Sequence, residues 1–149
     1  MYKRQAVAIA YKAASTLDSM VGYREPPYTH IGWASARTED GLTWLACRCA
    51  VGSIGLLSGQ PSRVWSLCHR DAIADPSPNS GWSECAYAAA LGVQLGGPNT
   101  YCGQTKLKPL LGDPNQAISP TIIHQALRLT RHVFLTWLLL ASILLFEMN

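Results

Sequence analysis

The chain has 149 residues, 48% of them hydrophobic and only 14% charged, and its 12 basic and 9 acidic side chains leave a net charge of +3. That length gives room for one domain with a modest core, and so small and scattered a positive charge excludes a partner held by phosphate neutralisation, such as nucleic acid. The five cysteines are odd in number and form no C-x-x-C, which excludes a disulfide framework or zinc knuckle and predicts reduced, mostly buried thiols; no N-terminal stretch has the pattern of a secretory signal.

Residues 1–5, MYKRQ, form a leader without assignment, and residues 6–149 read as one domain. Residues 6–20, AVAIAYKAASTLDSM, are rich in alanine and free of proline and glycine, which predicts a helix. Val7, Ala10, Ala14 and Leu17 share one face, and Lys12, Ser15 and Asp18 form a polar stripe beside it. Gly22 and Pro26-Pro27 make residues 21–31 a loop. In that loop Arg24 offers a planar fork of donors matched to phosphate oxygens, and it reads equally well as an exposed loop arginine. Residues 32–49 predict a second helix carrying Arg37, Asp40 and Arg48, running into the apolar, glycine-containing residues 50–57. Residues 42–57 are a candidate membrane segment, against which stands Arg48, since an intramembrane arginine needs a cavity or a partner.

Residues 58–61 are a linker, and Pro61 suits the first position of a helix running to about residue 74. Its polar residues are Arg63, His69, Arg70 and Asp71, and its apolar ones Val64, Trp65, Leu67 and Ile73. His69, beside Cys68 but without a second ligand pair at metal spacing, reads as a surface histidine. Asp75-Pro-Ser-Pro-Asn79 cannot be helical, so Asn79 or Ser80 caps a helix through about residue 93. Ala86, Ala88, Ala89, Ala90 and Gly92 suit close helix packing, and Glu84, about one turn from the cap, either acts on a substrate or complements the helix dipole.

Residues 95–103, LGGPNTYCG, predict a turn into a short extended piece that ends at 108–113, KPLLGD. Gly96 and Gly97 can form a nest of backbone N–H groups for an anion, to which Lys108 adds a point charge; no G-x-x-x-x-G-K-[ST] is present, so a P-loop is excluded. Ser119-Pro120 opens a helix that runs uninterrupted from 120 to 146. Its first part, with His124, Arg128, Arg131 and His132, is amphipathic, and residues 133–146, VFLTWLLLASILLF, favour bilayer insertion by roughly −3 to −6 kcal/mol. Fourteen residues span about 21 Å of a hydrocarbon core roughly 30 Å thick, a shortfall met by bilayer thinning or by Arg128 and Arg131 snorkelling; the alternative is a buried core helix. Arg128 and Arg131 before the apolar run and Glu147 beyond it place the polar loops on the cytoplasmic face of a plasma or inner membrane. The fold class expected is mainly α, an integral membrane helical protein with glycine-rich polar loops and one C-terminal transmembrane helix.

SPNSGW at 77–82, LGVQLGGPNTYCG at 91–103 and KPLLGD at 108–113 stand in this order behind STLDSMVGYR at 15–24 and the scattered Tyr28, Gly32, Ala36-Arg37, Asp40 and Arg48. Together they resemble the adenosylcobinamide-phosphate synthase family of cobalamin biosynthesis, the CbiB/CobD type, over its C-terminal half. The chain departs from the family pattern at Ser15, where asparagine is usual, and at 44–49, WLACRC, where the arginine is kept and the usual proline is missing. The resemblance implies an ATP-dependent ligase that joins a propionate carboxylate of adenosylcobyric acid to aminopropanol or its phosphate. It implies catalytic roles for Asp18, Asp40 and Glu84, and phosphate or substrate contacts for Arg24, Arg37, Arg48, Ser77, Asn79, Gly96, Gly97, Tyr101 and Lys108. It further implies ATP as co-substrate, Mg²⁺ on Asp18 and Asp113, and no bound prosthetic group. The partners implied are the corrinoid, the amine, membrane lipid, and other cobalamin-biosynthesis enzymes or an N-terminal half. A non-catalytic membrane sensing, regulatory or corrinoid-binding protein is the alternative.

Overall fold

The computed structural model describes residues 2–22, 29–101 and 103–147. In chain order they form α1 (Tyr2–Val21), α2 (Thr29–Leu57), α3 (Pro61–Asp71) with a 3-10 turn at Ala72–Ala74, α4 (Ser80–Leu91), β1 (Leu95–Tyr101), β2 (Gln104–Leu111) and α5 (Pro120–Glu147). The chain divides within α2 into two compact units, Met1–Ala46 and Cys47–Asn149.

The first unit holds α1 and the opening turns of α2. The apolar face read on α1 is largely uncovered, with Val7 71% and Leu17 52% exposed, whereas Gly32 and Ser35 of α2 are buried. Alanine-rich sequence makes α1 helical; it does not supply enough apolar bulk to bury a face.

The second unit has a core drawn from every one of its helices. Val51 and Ile54 of α2, Val64, Leu67 and Cys68 of α3, Trp82, Cys85, Ala86 and Ala89 of α4, Leu111 of β2 and Leu129 of α5 pack into one cluster. The alanines of α4 let its neighbours approach, and Ala86, Ala88 and Ala89 are fully buried. Pro61 opens α3 as expected, and the Ser119 hydroxyl accepts the Ile122 N–H at 3.4 Å to cap α5. The α4 cap differs from the expectation. Asn79 occupies the N-cap position without a capping side-chain bond, and the Ser77 hydroxyl instead accepts the Ser80 N–H at 3.4 Å, in a turn held by the Asp75 carboxylate on the Ser77 N–H at 2.8 Å. Two prolines around Ser77 fix the approach, so the hydroxyl three residues back reaches the orphan donor first.

The larger correction lies at 95–111. The stretch expected as a turn and a short extended piece is an antiparallel hairpin, β1 on β2, with Leu95 opposite Leu111 and Gly97 opposite Lys108. Gly96 and Gly97 stand inside β1 and not at its turn, where the register slips between Leu95 and Gly97 as a bulge. Gly96 has φ +93°, and a Cβ there would fall on the Pro109 carbonyl oxygen, so only glycine lets the strands close.

In α5, Ile122 and Leu129 are buried and Val133 packs on the core, and the Thr130 and Tyr87 hydroxyls are 2.6 Å apart. From Phe134 onward the apolar side chains are bare: Phe134 is 63%, Leu139 62%, Leu144 61% and Phe146 86% exposed. The Trp137 indole donates to the Ser53 hydroxyl of α2 at 3.0 Å. Among the described residues α5 alone is long and apolar enough to cross a membrane. The helix α2 that holds residues 42–57 is long enough but not apolar enough by the same measure, and Val51 and Ile54 within it pack in the core of the second unit.

Candidate functional site

The second unit gathers the motif residues around the start of α4. Arg48 lies at the centre of the support: its guanidinium donates to the Pro78 carbonyl at 3.5 Å and to Cys47 Sγ at 3.4 Å, and stacks 4.1 Å from the centre of the Trp82 ring. The Cys47 thiol donates to the Asn79 carbonyl at 3.3 Å. The loop 77–80 is therefore pinned from α2, with Arg48 spending its donors on protein groups. Trp82 also meets Trp65 and His69 edge to face, with centroids 5.5 and 4.9 Å away, so the exposed His69 is part of an aromatic cluster.

One turn into α4, Glu84 accepts the Ser80 hydroxyl at 3.0 Å and the Lys108 ammonium at 3.4 Å. Lys108 comes from β2, directly opposite Gly97. The hairpin thus carries a cation to this carboxylate, and both side chains of the pair are about one-third exposed. This acid–base couple is reachable by solute.

Asp113 is placed otherwise. Arg70 holds it at 2.8 Å and also grips Asp71 through two bonds of 2.6 and 2.9 Å. Asp71 in turn accepts the Gly112 N–H at 2.8 Å. The Arg70 bonds, with help from the Gly112 amide, keep the Asp71 carboxyl below the usual carboxylate range. KPLLGD is thereby locked to α3. Behind it the Cys68 and Cys85 thiols are buried against one another, and the bond to Cys85, then burial, pushes Cys68 up, so it is an inert thiol.

The first unit holds further acidic residues. Asp18 stands near the end of α1, and Glu39 and Asp40 on α2; burial first, then the charges of Asp18 and Asp40, pushes the Glu39 carboxyl up. A cavity of about 450 Å³ is lined by Ala14 and Leu17 of α1 and by His30, Ala34, Ser35 and Thr38 of α2. Arg37 is exposed on α2. Arg24 lies outside the described residues, as does the side chain of Tyr101.

Of the residues expected to share a site, the structure brings Arg48, Ser77, Asn79, Glu84, Gly97 and Lys108 together in the second unit, and places Asp18 and Asp40 in the first. Among the described residues no group of three histidine, cysteine, aspartate or glutamate side chains is arranged to hold a metal ion. Ser35 and Glu39 carry no sequence expectation, whereas Ser80 and Arg70 are read there only as a possible cap and as part of a polar face. The first two follow Asp18's logic, since Ser35 and Glu39 are four apart and share a helical face.

The model of the CobD/Cbib protein family matches residues 2–130. A cobalamin biosynthesis protein CobD of Synechocystis is 60% identical over 134 residues, covering 90% of this chain and 39% of the relative. A CobD of Geobacter metallireducens is 43% identical over 145 residues, with coverages of 93% and 45%. The cobalamin biosynthesis protein CbiB of Salmonella typhimurium is 42% identical over 127 residues, with coverages of 83% and 40%. The chain thus spans less than half the length of the curated relatives it matches, and no solved structure matches it. By the family model and these identities, the chain belongs to the CobD/CbiB protein family.

Proposed function

We propose that this chain acts in cobalamin biosynthesis as the C-terminal portion of an ATP-dependent amide-forming ligase, joining adenosylcobyric acid to aminopropanol or its phosphate. The observation that carries the reading is the Glu84–Lys108 couple, which joins α4, two residues past SPNSGW, to the first residue of KPLLGD, opposite Gly97 in the hairpin. A carboxylate does not react with an amine until it is activated, most simply as an acyl phosphate. That step asks for donors to the phosphoryl oxygens and a group to take the amine proton. Lys108, with the backbone around Gly97, supplies the first, and Glu84 the second. Ser80 keeps the carboxylate aimed once Lys108 turns to phosphate. Arg48 acts through the loop it pins, as a positioning residue. ATP enters as co-substrate, with Mg²⁺ arriving on its phosphates.

The protein sits in the plasma membrane through α5 in this reading, with the polar loops cytoplasmic. The test is amide formation by membranes containing the chain, given adenosylcobyric acid, aminopropanol phosphate and Mg-ATP, with and without a co-expressed N-terminal half of a full-length relative. ATP-dependent product lost in Glu84→Gln and Asp18→Ala upholds the ligase. No product in either format turns the reading toward a non-catalytic membrane binding protein.

A further inference from the structure

We propose that the first half of α5 binds the headgroup of an anionic phospholipid, with the Arg128 and Arg131 guanidinium groups on its phosphodiester and His124 on the water side of them. A cavity of about 380 Å³ is lined by His124, Leu127, Arg128 and Arg131. All four are exposed, and among the described residues no ion pair involves either arginine. The acidic side chains of the same unit are engaged elsewhere: Glu84 by Lys108, Asp71 and Asp113 by Arg70, and Asp75 by the Ser77 N–H. Glu147 stands beyond the apolar run, about 24 Å from Arg131 along the helix. Two permanent charges therefore line one groove with no counter-charge among the described residues of their unit. A phosphodiester, with two unesterified oxygens, matches their planar forks.

Position on the helix selects a lipid over a soluble anion. Ile122 and Leu129 are buried and Val133 packs on the core, which turns the opposite face of α5 outward. On that outward face His124, Arg128, Arg131, Leu135 and Leu138 follow one another at alternating steps of four and three residues, so the cationic groove runs straight on into apolar surface. Leu127 beside the groove and Leu135 and Leu138 beyond it are all half exposed or more. A free phosphate has no use for these leucines, whereas a diacyl lipid lays its carbon chains along them. The dimensions agree. Arg128 and Arg131 are about 4.5 Å apart along the axis, within a headgroup layer of roughly 5–7 Å, and the apolar run starts less than one turn further on.

The proposal rests on the reading of α5 as a membrane helix. The experiment reconstitutes the full chain in phosphatidylcholine vesicles at about 0.15 M salt. Electron paramagnetic resonance then compares the motionally restricted fraction of spin-labelled phosphatidylglycerol with that of spin-labelled phosphatidylcholine. The chain prefers phosphatidylglycerol about fivefold or more. Joint Arg128→Ala and Arg131→Ala brings the preference to within about twofold of unity, while the restricted phosphatidylcholine fraction, which reports the apolar surface of α5, stays unchanged. Joint Arg128→Lys and Arg131→Lys keeps both charges and loses the forks, so the preference falls about threefold; diffuse attraction between a basic helix and a charged surface would survive that exchange. A preference retained in the alanine pair or in the lysine pair, or full displacement of the lipid by inorganic phosphate, overturns the proposal. A wild-type chain that restricts both lipids equally sinks the headgroup site alone and leaves α5 in the bilayer. No restricted fraction for either lipid removes the membrane reading together with the site.

Discussion

Replacing Asp71 by alanine tests whether KPLLGD is held by one carboxylate. Asp71 is only 12% exposed and accepts the N–H of the buried Gly112 at 2.8 Å. A hydrogen bond to a charged group is worth about 1.5–3 kcal/mol, and the deletion leaves the Gly112 amide without an acceptor. Asp71→Ala therefore costs about 2–3 kcal/mol, or about 5–10 °C in melting temperature for a chain of this size. Asp71→Asn, which keeps a neutral acceptor, costs about half as much. The assay is unfolding of the whole chain in mild detergent, followed by tryptophan fluorescence, to which Trp82 in the core of the same unit contributes. The pH dependence carries a second signature. Because its folded-state carboxyl is depressed, Asp71 contributes stability that is present above its unfolded pKa of about 3.9 and lost as pH falls through the lower folded value. Asp71→Asn removes that acid slope. A loss below about 0.5 kcal/mol in Asp71→Ala, or an acid slope unchanged in Asp71→Asn, refutes the reasoning.

Gly112→Ala loses at least about 2 kcal/mol in the same assay: φ is +80°, and the new Cβ would lie 2.7 Å from the Val93 carbonyl oxygen and 2.8 Å from Ala88 Cβ. Glu39→Gln stabilises the first unit by about 0.3–0.5 kcal/mol at neutral pH. Its carboxyl is pushed up, so the penalty for ionising it is absent in acid and appears as pH rises through the folded value; amide exchange in α1 and α2 reads the gain, which vanishes below pH 4 or so. Leu139→Arg raises the insertion free energy of α5 by about 3–4 kcal/mol, so the chain shifts from the carbonate-resistant membrane fraction to the soluble or degraded one. Unchanged fractionation would mean that the bare half of α5 meets protein and not lipid.

The helices could be read from the sequence because their signals are local. Pro61 and Ser119-Pro120 set the starts of α3 and α5, and the long run free of proline and glycine carries α5 to Glu147. The motif order was enough to identify the family, because blocks such as SPNSGW and LGGPNTYCG are recognised residue by residue without a fold. Local signals failed at the hairpin. Gly-Gly-Pro-Asn reads as a turn in isolation, yet Gly96 is a bulge inside β1, a place defined only by the Pro109 carbonyl on the opposite strand.

The division of roles among charged residues was equally out of reach of the sequence. Arg48 and Asp113 had the right chemistry for phosphate and metal, but the fold gives Arg48 to Trp82 and the 77–80 loop, and Asp113 to Arg70. Glu84 and Lys108 are 24 residues apart, and nothing in the chain between them marks the 3.4 Å contact. Spacing along a helix fixes which residues share a face, as with Ser35 and Glu39. Which side chain across a gap claims a given donor depends on where packing brings the other element, and burial then sets how strongly the pair holds. The order of the helices and the family were determined by the sequence alone, although α1 already begins at Tyr2 and α2 at Thr29, inside the stretch read as a loop; the pairing of its charges was decided by the tertiary structure.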